Sequence, residues 1–246
     1  MRSPGSRRLQ IILFSAVGAS ALLVALLLAT GRLSGDSISF TSITGAKPAS
    51  TARSDGPVAP GRATDSVDAF TRAHGSPPDA TYGRISIPAI SVNAPLTYRA
   101  VAKTASATLP EPSGPTDVAY YDLSEWPGLG GAPGAGRNAI FAGHVDLNRA
   151  IPYAEGAHYA GPAVFWALDR LRAGDTVEIT VSGGTPLKYA VVSVRELSAS
   201  EGTDWAAVWS GDVKKDTVTL FTCGGEFDAQ AHEYSSRIIV RAERLG

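Results

Sequence analysis

The stretch at 217–225 (TVTLFTCGG) contains the only cysteine of the chain, Cys223. Apolar and β-branched residues fill its first six positions and alternate in the way that a β-strand requires. Gly224 and Gly225 then end the strand, and residues without side chains let another backbone approach the thiol closely. Such a cysteine is compatible with a reactive thiol or with a buried structural residue, since cysteine is among the most buried residue types.

Composition excludes several classes of function. The 246 residues include 22 lysines and arginines against 23 aspartates and glutamates, a net charge of −1, so there is no basic excess to bind nucleic acid. A single cysteine cannot form an intramolecular disulfide or a two-cysteine metal motif. The sequence contains no visible cluster of metal ligands, and we predict neither a metal nor another cofactor.

An apolar stretch at residues 9–30 is long enough to cross a membrane. Its 22 residues match a hydrocarbon core of roughly 30 Å at about 1.5 Å of helical rise per residue. Arg2, Arg7 and Arg8 precede it, so the positive-inside rule places residues 1–8 in the cytoplasm and the residues after the stretch outside the cell. We therefore predict an uncleaved single-pass membrane anchor, with a cleaved signal peptide as the alternative.

Residues 31–80 have the composition of a linker. Of these 50 residues, 32 are Gly, Ala, Ser, Thr or Pro, and the large apolar residues follow no period. Such a segment cannot bury enough surface to order itself. We predict a disordered linker that holds a domain away from the membrane.

The remaining residues, 81–246, show eight short β-like runs with turn signals between them and few helical patterns. This combination favours an all-β fold in the form of a closed eight-stranded barrel, although the pattern alone does not separate a barrel from a sandwich. Short helices are predicted at 163–171 and 203–209. The eight runs are 84–88, 90–96, 117–123, 138–144, 176–182, 187–197, 218–223 and 237–244.

A cysteine nucleophile needs a nearby base and donors for the oxyanion that forms on attack. Of the four histidines, His144 ends an apolar run beside a glycine, as Cys223 does in its own strand. Arg237 begins the last run, one hairpin after Cys223. Because the start of a returning antiparallel strand lies near the end of the previous one, we expect Arg237 beside Cys223. A structural histidine and a solvated arginine are the plainer alternatives.

Three motifs carry a resemblance to a known family. AGHVD at 142–146, TCGGEFD at 222–228 and RIIVRA at 237–242 resemble the histidine, cysteine and arginine signatures of the sortases, which are membrane-anchored cysteine transpeptidases of Gram-positive bacteria. The histidine and cysteine motifs are most similar to those of the actinobacterial class F, with class E next. The resemblance covers nearly all of 81–246 and implies a sortase-type, eight-stranded β-barrel as an extracellular catalytic domain.

The resemblance also implies a reaction. Cys223, as a thiolate, is expected to attack the threonine carbonyl of an LPXTG-like sorting signal at the C-terminus of a surface protein. His144 is expected to protonate the departing amine, and Arg237 to donate hydrogen bonds to the oxyanion or to hold the substrate backbone. An amine of a peptidoglycan stem peptide, or of its lipid-linked precursor, then resolves the thioester.

Three further residues are expected to bind the substrate. Thr222 is expected to line the pocket just before the nucleophile, and the backbone N–H of Gly224 is a second candidate donor to the oxyanion. Trp205 lies in the connection that leads to the cysteine strand, which shapes specificity in similar proteins. Aromatic packing over one end of the barrel is the alternative for Trp205.

Other functions remain open from the sequence. A hydrolytic cysteine peptidase shares the thioester but lets water resolve it, and a pilin-polymerising sortase uses a lysine amine as the acceptor. A non-catalytic barrel that binds cell-wall components predicts that the Cys223 thiol is inert.

Overall fold

The structure is a computed structural model, and the residues described are 60–104, 108–199, 203–228 and 233–246, with side chains from residue 66 onward. These ranges contain two α-helices, ten β-strands and two 3₁₀ helices, at Pro88–Ile90 and Leu168–Arg170. The helices are α1 (Pro60–His74) and α2 (Trp205–Trp209). The strands are β1 (Gly83–Ile87), β2 (Val92–Ala100), β3 (Val118–Asp122), β4 (Asn138–Ala142), β5 (Asp146–Ala150), β6 (His158–Pro162), β7 (Thr176–Val181), β8 (Leu187–Ser198), β9 (Thr217–Asp228) and β10 (Glu233–Arg244).

Eight of these strands close a barrel in the order β1-β2-β3-β4-β9-β10-β8-β7, with β7 paired back to β1. Neighbouring strands are antiparallel except for the pairs β2–β3 and β4–β9, which are parallel. Each barrel strand overlaps with one of the eight predicted runs, although β2, β9 and β10 extend four or five residues beyond theirs. The prediction of an all-β, eight-stranded barrel is therefore confirmed.

The strand that carries the cysteine is covered on both faces. Val218 and Leu220 of β9 belong to the apolar cluster that fills the barrel. Phe221, on the opposite face, belongs to a second cluster, which includes Trp209 of α2. A strand buried on both sides has a nearly continuous run of buried residues, as β9 does from Thr217 to Thr222.

The structure corrects the predicted linker at 31–80, because its last part contains helix α1. Pro60 stands at the start of the helix, and Gly75, with φ of 74°, accepts the left-handed conformation that ends it and donates its N–H to the carbonyl of Thr71. Phe70 is buried and packs edge-on against Tyr159 of β6. One aromatic anchor is enough to dock the helix, and the composition of small residues around it hid that signal.

Two further elements differ from the sequence predictions. Strands β5 and β6 pair only with each other, as a ribbon outside the barrel, and were not predicted because neither shows a long alternating apolar pattern. The helix predicted at 163–171 is reduced to a 3₁₀ turn, whereas the helix predicted at 203–209 is present as α2.

The predicted anchor at 9–30 and residues 31–59 of the linker lie outside the described residues. Within the described ranges, no helix combines the length and apolar character needed to cross a membrane.

Candidate active site

Cys223 and Arg237 are direct neighbours across two antiparallel strands. Cys223 of β9 is paired in register with Arg237 of β10, as expected from the hairpin between them. Directly opposite residues project from the same face of a sheet, with Cβ atoms about 4.5–5.5 Å apart. The thiol is half-buried, and Arg237 is only 6% exposed. A guanidinium this well buried is held in place rather than solvated.

The contacts of Arg237 use one side of its guanidinium group. Its Nη1 atom donates to the carbonyl of Tyr234 at 2.9 Å and to the carbonyl of Ser236 at 2.8 Å. Its Nε atom is buried and has no hydrogen-bond partner among the described residues. The group is thus anchored to the β10 backbone, and its Nε–H is left without an acceptor among the described residues.

His144 reaches the same end of the barrel by a parallel strand. The β4–β9 ladder ends with Ala142 opposite Phe221. Beyond it, the N–H of Gly143 donates to the carbonyl of Phe221 at 3.3 Å, and the hydroxyl of Thr222 donates to the carbonyl of Gly143 at 2.7 Å. These bonds continue the pairing of the two segments beyond the end of the ladder. His144 therefore lies at the same level along the barrel as Cys223.

The half-buried imidazole of His144 is contacted by two further groups. Its Nε2 atom lies 3.4 Å from the carbonyl of Pro112, in the loop between β2 and β3, and 3.5 Å from Nη2 of Arg149, in β5. Burial of the ring and, next, the charge of Arg149 lower the pKa of His144 to about 4, against the opposing effect of the Pro112 carbonyl. The resting histidine is therefore neutral at pH 7.

The thiol is also neutral at rest. Burial raises the pKa of Cys223, and the carboxylates of Asp146, Glu111 and Glu233 add to that effect. The neighbouring Arg237 acts in the opposite direction and stabilises the thiolate. With the pKa of the thiol raised and that of His144 lowered, the thiolate–imidazolium pair is a minor species at neutral pH.

The two glycines after the cysteine are required by packing. A Cβ atom at Gly224 would lie 2.8 Å from Cγ1 of Ile238, a buried residue of the barrel interior. Gly225 has φ of 77° and would meet the hydroxyls of Ser235 and Ser236. A register shift of the β9–β10 ladder lies between Tyr234 and Ser236. Gly224 therefore allows Ile238 of the neighbouring strand to pack closely, and Gly225 allows the irregular turn of the hairpin. Both roles are separate from any space that the glycines leave beside the thiol.

The other predicted substrate-binding residues are structurally well connected. Thr222 is 3% exposed, and its hydroxyl links the strand end of Cys223 to that of His144. Trp205 begins α2, where the Asp204 side chain accepts from the N–H of Ala207 at 3.0 Å and caps the helix. The indole of Trp205 stacks on that of Trp209, with ring centroids 5.5 Å apart. Thr222 thus joins the two strand ends of the site, whereas Trp205 packs within α2, and the contact of either side chain with substrate stays a prediction.

The remaining histidines are placed elsewhere. His158 lies in the β5–β6 ribbon and contacts the side-chain oxygen of Asn148 at 2.8 Å. His74 ends α1 and packs on Phe70. His232 lies outside the described residues.

Three residues of the site were missed from the sequence. Arg149, in the ribbon, contacts the imidazole of His144, and Glu111, in the β2–β3 loop, accepts from Arg149. Tyr234 donates to Asp146 at 2.6 Å and so joins the β9–β10 hairpin to the segment just after His144. The sequence offered no signal for these residues, because each meets the site through a connection whose path no periodic pattern specifies.

The fold and the site define a class of protein: a closed β-barrel with a cysteine and an arginine paired on adjacent strands and a histidine at the same end. A family model of the sortase domain matches residues 85–245, so the chain belongs to the sortase family, whose members are cysteine transpeptidases.

Solved structures similar to the chain span several sortase classes. Sortase A from Corynebacterium diphtheriae (a lid mutant) is 24% identical, with 74% of this chain and 78% of that chain covered and a TM-score of 0.45. Sortase E1 from Streptomyces coelicolor, with a tripeptide in its active site, is 18% identical, with coverage of 70% and 91% and a TM-score of 0.46. Sortase C-1 from Actinomyces oris is 19% identical, with coverage of 76% and 99% and a TM-score of 0.44. No curated protein matches the chain.

Proposed function

We propose that this sortase is a membrane-anchored, extracellular transpeptidase that cleaves an LPXTG-like sorting signal through a thioester on Cys223. It then transfers the acyl group to a cell-wall amine. The observation that carries the proposal is the register pairing of Cys223 with a buried Arg237, at the barrel end that His144 reaches through β4. Nucleophile, oxyanion donor and proton donor are the three components that acyl transfer requires.

The first half of the reaction forms the thioester. The thiolate sulfur of Cys223 bonds to the carbonyl carbon of the substrate threonine, and the carbonyl oxygen takes up the negative charge. The guanidinium of Arg237, paired in register with Cys223, and the backbone N–H of Gly224 donate to that oxygen. When the C=O bond re-forms, the bond to the next amide nitrogen breaks, and the His144 imidazolium supplies the proton to the departing amine.

The second half restores the enzyme. The nitrogen of the acceptor amine attacks the thioester carbon while neutral His144 takes its proton. The C–S bond breaks, the thiolate leaves, and a new amide joins the surface protein to the acceptor. We take the acceptor to be an amine of a peptidoglycan stem peptide or of its lipid-linked precursor.

Location and class belong to the proposal as well. The apolar stretch at 9–30, preceded by three arginines, supports a single-pass anchor with the barrel outside the cell, where sorting signals and wall amines are found. The motifs around His144 and Cys223 support class F, with class E as the alternative.

The proposal is tested with a sorting-signal peptide and intact-protein mass spectrometry. The full-length protein should gain the mass of the acyl fragment, and Cys223→Ala should gain nothing. His144→Ala should lose nearly all turnover, whereas His158→Ala, on the ribbon, serves as the matched control and should retain it. An adduct on Cys223→Ala would refute the mechanism. Product that forms equally well without an added amine would favour a hydrolytic peptidase.

A further inference from the structure

Two charged residues outside the predicted catalytic set meet at the imidazole of His144. Nη2 of Arg149 lies 3.5 Å from Nε2 of His144, and Nη1 of the same guanidinium donates to Oε2 of Glu111 at 2.7 Å. The carbonyl of Pro112 lies 3.4 Å from the same Nε2 atom. One ring nitrogen therefore faces a hydrogen-bond acceptor and a donor whose charge is balanced by a carboxylate.

This arrangement satisfies the ring nitrogen in either protonation state. When Nε2 carries a lone pair, it accepts from the N–H of Arg149; when it carries a proton, it donates to the carbonyl of Pro112. A bare guanidinium beside the ring would oppose the charged state, and a carboxylate on that guanidinium reduces the opposition. Glu111 is the carboxylate in this position.

The loop that supplies Glu111 is firmly held. The carboxylate of Asp117 accepts the backbone N–H groups of Ser113 at 3.0 Å and Gly114 at 2.8 Å. Arg99 donates to the hydroxyl of Ser113 at 2.6 Å and to the carbonyl of Glu111 at 3.4 Å. The hydroxyl of Tyr121 donates to the carbonyl of Pro110 at 2.6 Å, so the loop is fixed on both sides of Glu111 and presents its carboxylate in one place, as the support of a site requires.

The ion pair between Glu111 and Arg149 leaves polar atoms of both side chains without a hydrogen bond in the described part of the chain. Their side chains are 24% and 30% exposed. Oε1 of Glu111 and Nε of Arg149 are buried without a partner in the part of the chain that the structure describes. Each unsatisfied buried polar atom in a native structure calls for an explanation, and a role beside a catalytic group is one such explanation.

The other charged groups near His144 come from three elements. Cys223 lies on β9 and Arg237 on β10, and Arg237 is tied to carbonyls of its own strand. Asp146 begins β5, and its carboxylate accepts from the hydroxyl of Tyr234. Among the described residues, Arg149 is the charged side chain within hydrogen-bond distance of the imidazole.

We propose that Glu111 and Arg149 are a positioning pair for His144: Arg149 holds the neutral ring, and Glu111 offsets the guanidinium charge so that the ring can take up and release the catalytic proton. The catalytic part of this statement rests on the proposed function. The coupling between the three side chains is a property of the fold and can be measured without substrate.

The test is the titration of His144 in the full-length protein. Histidine is labelled with ¹³C, the ring signals are followed by NMR as the pH changes, and His144→Asn identifies the relevant signal. Glu111→Gln should move the His144 midpoint down by about 0.5–1 pH unit, and Arg149→Gln should move it up by a similar amount. Glu155→Gln and Arg172→Gln, which change exposed residues, are the matched controls. If Arg149→Gln does not fold, Glu111→Gln and Arg149→Lys carry the test.

Turnover provides the second measurement. Arg149→Gln should lower kcat about tenfold while KM stays within about twofold, and the acidic limb of the pH profile should follow the NMR midpoint. Midpoints in both variants that equal those of the controls would overturn the proposal, even if the wild-type protein forms a thioester. Shifted midpoints in a protein that forms no thioester would instead support the pair and count against the proposed function.

Discussion

The two halves of the candidate site are built in different ways. Cys223 and Arg237 occupy opposite positions in the β9–β10 ladder, so backbone hydrogen bonds set their separation. His144 lies two residues beyond the last register pair of β4 and β9, and its ring is contacted by a loop carbonyl and by an arginine of the β5–β6 ribbon. The barrel fixes the thiol and the guanidinium, whereas side-chain contacts outside the barrel fix the imidazole.

This difference separates two kinds of variant. A change on the barrel side should remove an interaction with the reacting atoms and leave the protonation of His144 unchanged. A change on the loop side should alter how readily His144 is protonated and leave the Cys223–Arg237 geometry in place. The predictions below test this division, beginning with the largest expected effect.

Replacement of Arg237 should have the largest effect. Arg237→Ala removes the buried donor opposite Cys223 and should lower the rate of thioester formation by about 10²–10³-fold, the usual loss for an oxyanion donor. Arg237→Lys should be nearly as poor, because the three N–H groups of an ammonium share one nitrogen and cannot span the two β10 carbonyls and a substrate oxygen as a planar guanidinium does. Single-turnover kinetics with a sorting-signal peptide measure both. A lysine variant with normal rates would contradict the role assigned to the planar guanidinium.

A substitution of Gly224 distinguishes a role of this residue in packing from a role in substrate access. Gly224→Ala places a methyl group 2.8 Å from Cγ1 of Ile238 and should lower the free energy of unfolding by about 1–3 kcal/mol. Urea unfolding measures the loss. Adding Ile238→Ala, which removes the atoms in the way, should make the second change cost less in the Gly224→Ala background than in the wild type. If Gly224→Ala keeps full stability and loses only activity, the glycine instead serves the substrate.

Much of the fold was predictable because the barrel strands obey simple local rules. β4, β7 and β9 each carry short apolar or alternating patterns; the bounds of β4 and β7 agree within two residues with the predicted runs, whereas β9 continues five residues past its predicted end at 223. Helix α1 escaped prediction because its docking depends on one buried aromatic residue, Phe70, in a segment of small residues. The ribbon escaped because its strands gain their burial from α1 and the loops rather than from an alternation of their own.

The residues of the candidate site show the same contrast between positions that local rules predict and positions that depend on tertiary contacts. Arg237 could be placed beside Cys223, since a hairpin returns its chain next to the strand it left. Glu111 and Arg149 are 38 positions apart and meet only because the β2–β3 loop folds over the ribbon. No spacing rule connects two such residues, so the contacts that hold His144 required the three-dimensional structure.

Acid should destabilise the fold through His144. Its pKa is about 4 in the folded protein and about 6.5 in an unfolded chain, so the unfolded state binds more protons between these values. The stabilisation is complete above pH 6.5 and is lost as the pH falls towards 4, by about 2 kcal/mol after allowance for the partial exposure of the ring. His144→Gln, which cannot titrate, should lose less stability than the wild type between pH 7 and pH 4.5 in urea unfolding. Equal losses in the two proteins would show that other groups dominate the acid limb.

The smallest expected effect comes from loss of the hydrogen bond between Tyr234 and Asp146, which joins the barrel side of the site to the loop side. Tyr234 lies on β10 beside the anchor of Arg237, and its hydroxyl donates to Asp146 at 2.6 Å, two residues after His144. Tyr234→Phe removes this bond while keeping the ring, and should cost about 1 kcal/mol in unfolding free energy. Asp146→Ala, which removes the acceptor, should cost a similar amount, and the double variant should lose little more than either single one, because both changes break one interaction. If the bond helps to align the halves, both single variants should also lower turnover a few-fold, and Tyr234→Phe, which changes no charge, should leave the His144 midpoint unchanged. Strictly additive losses in the double variant would show that Tyr234 and Asp146 act independently, and that the barrel and the loop side are joined only through the strand ends at Thr222 and Gly143.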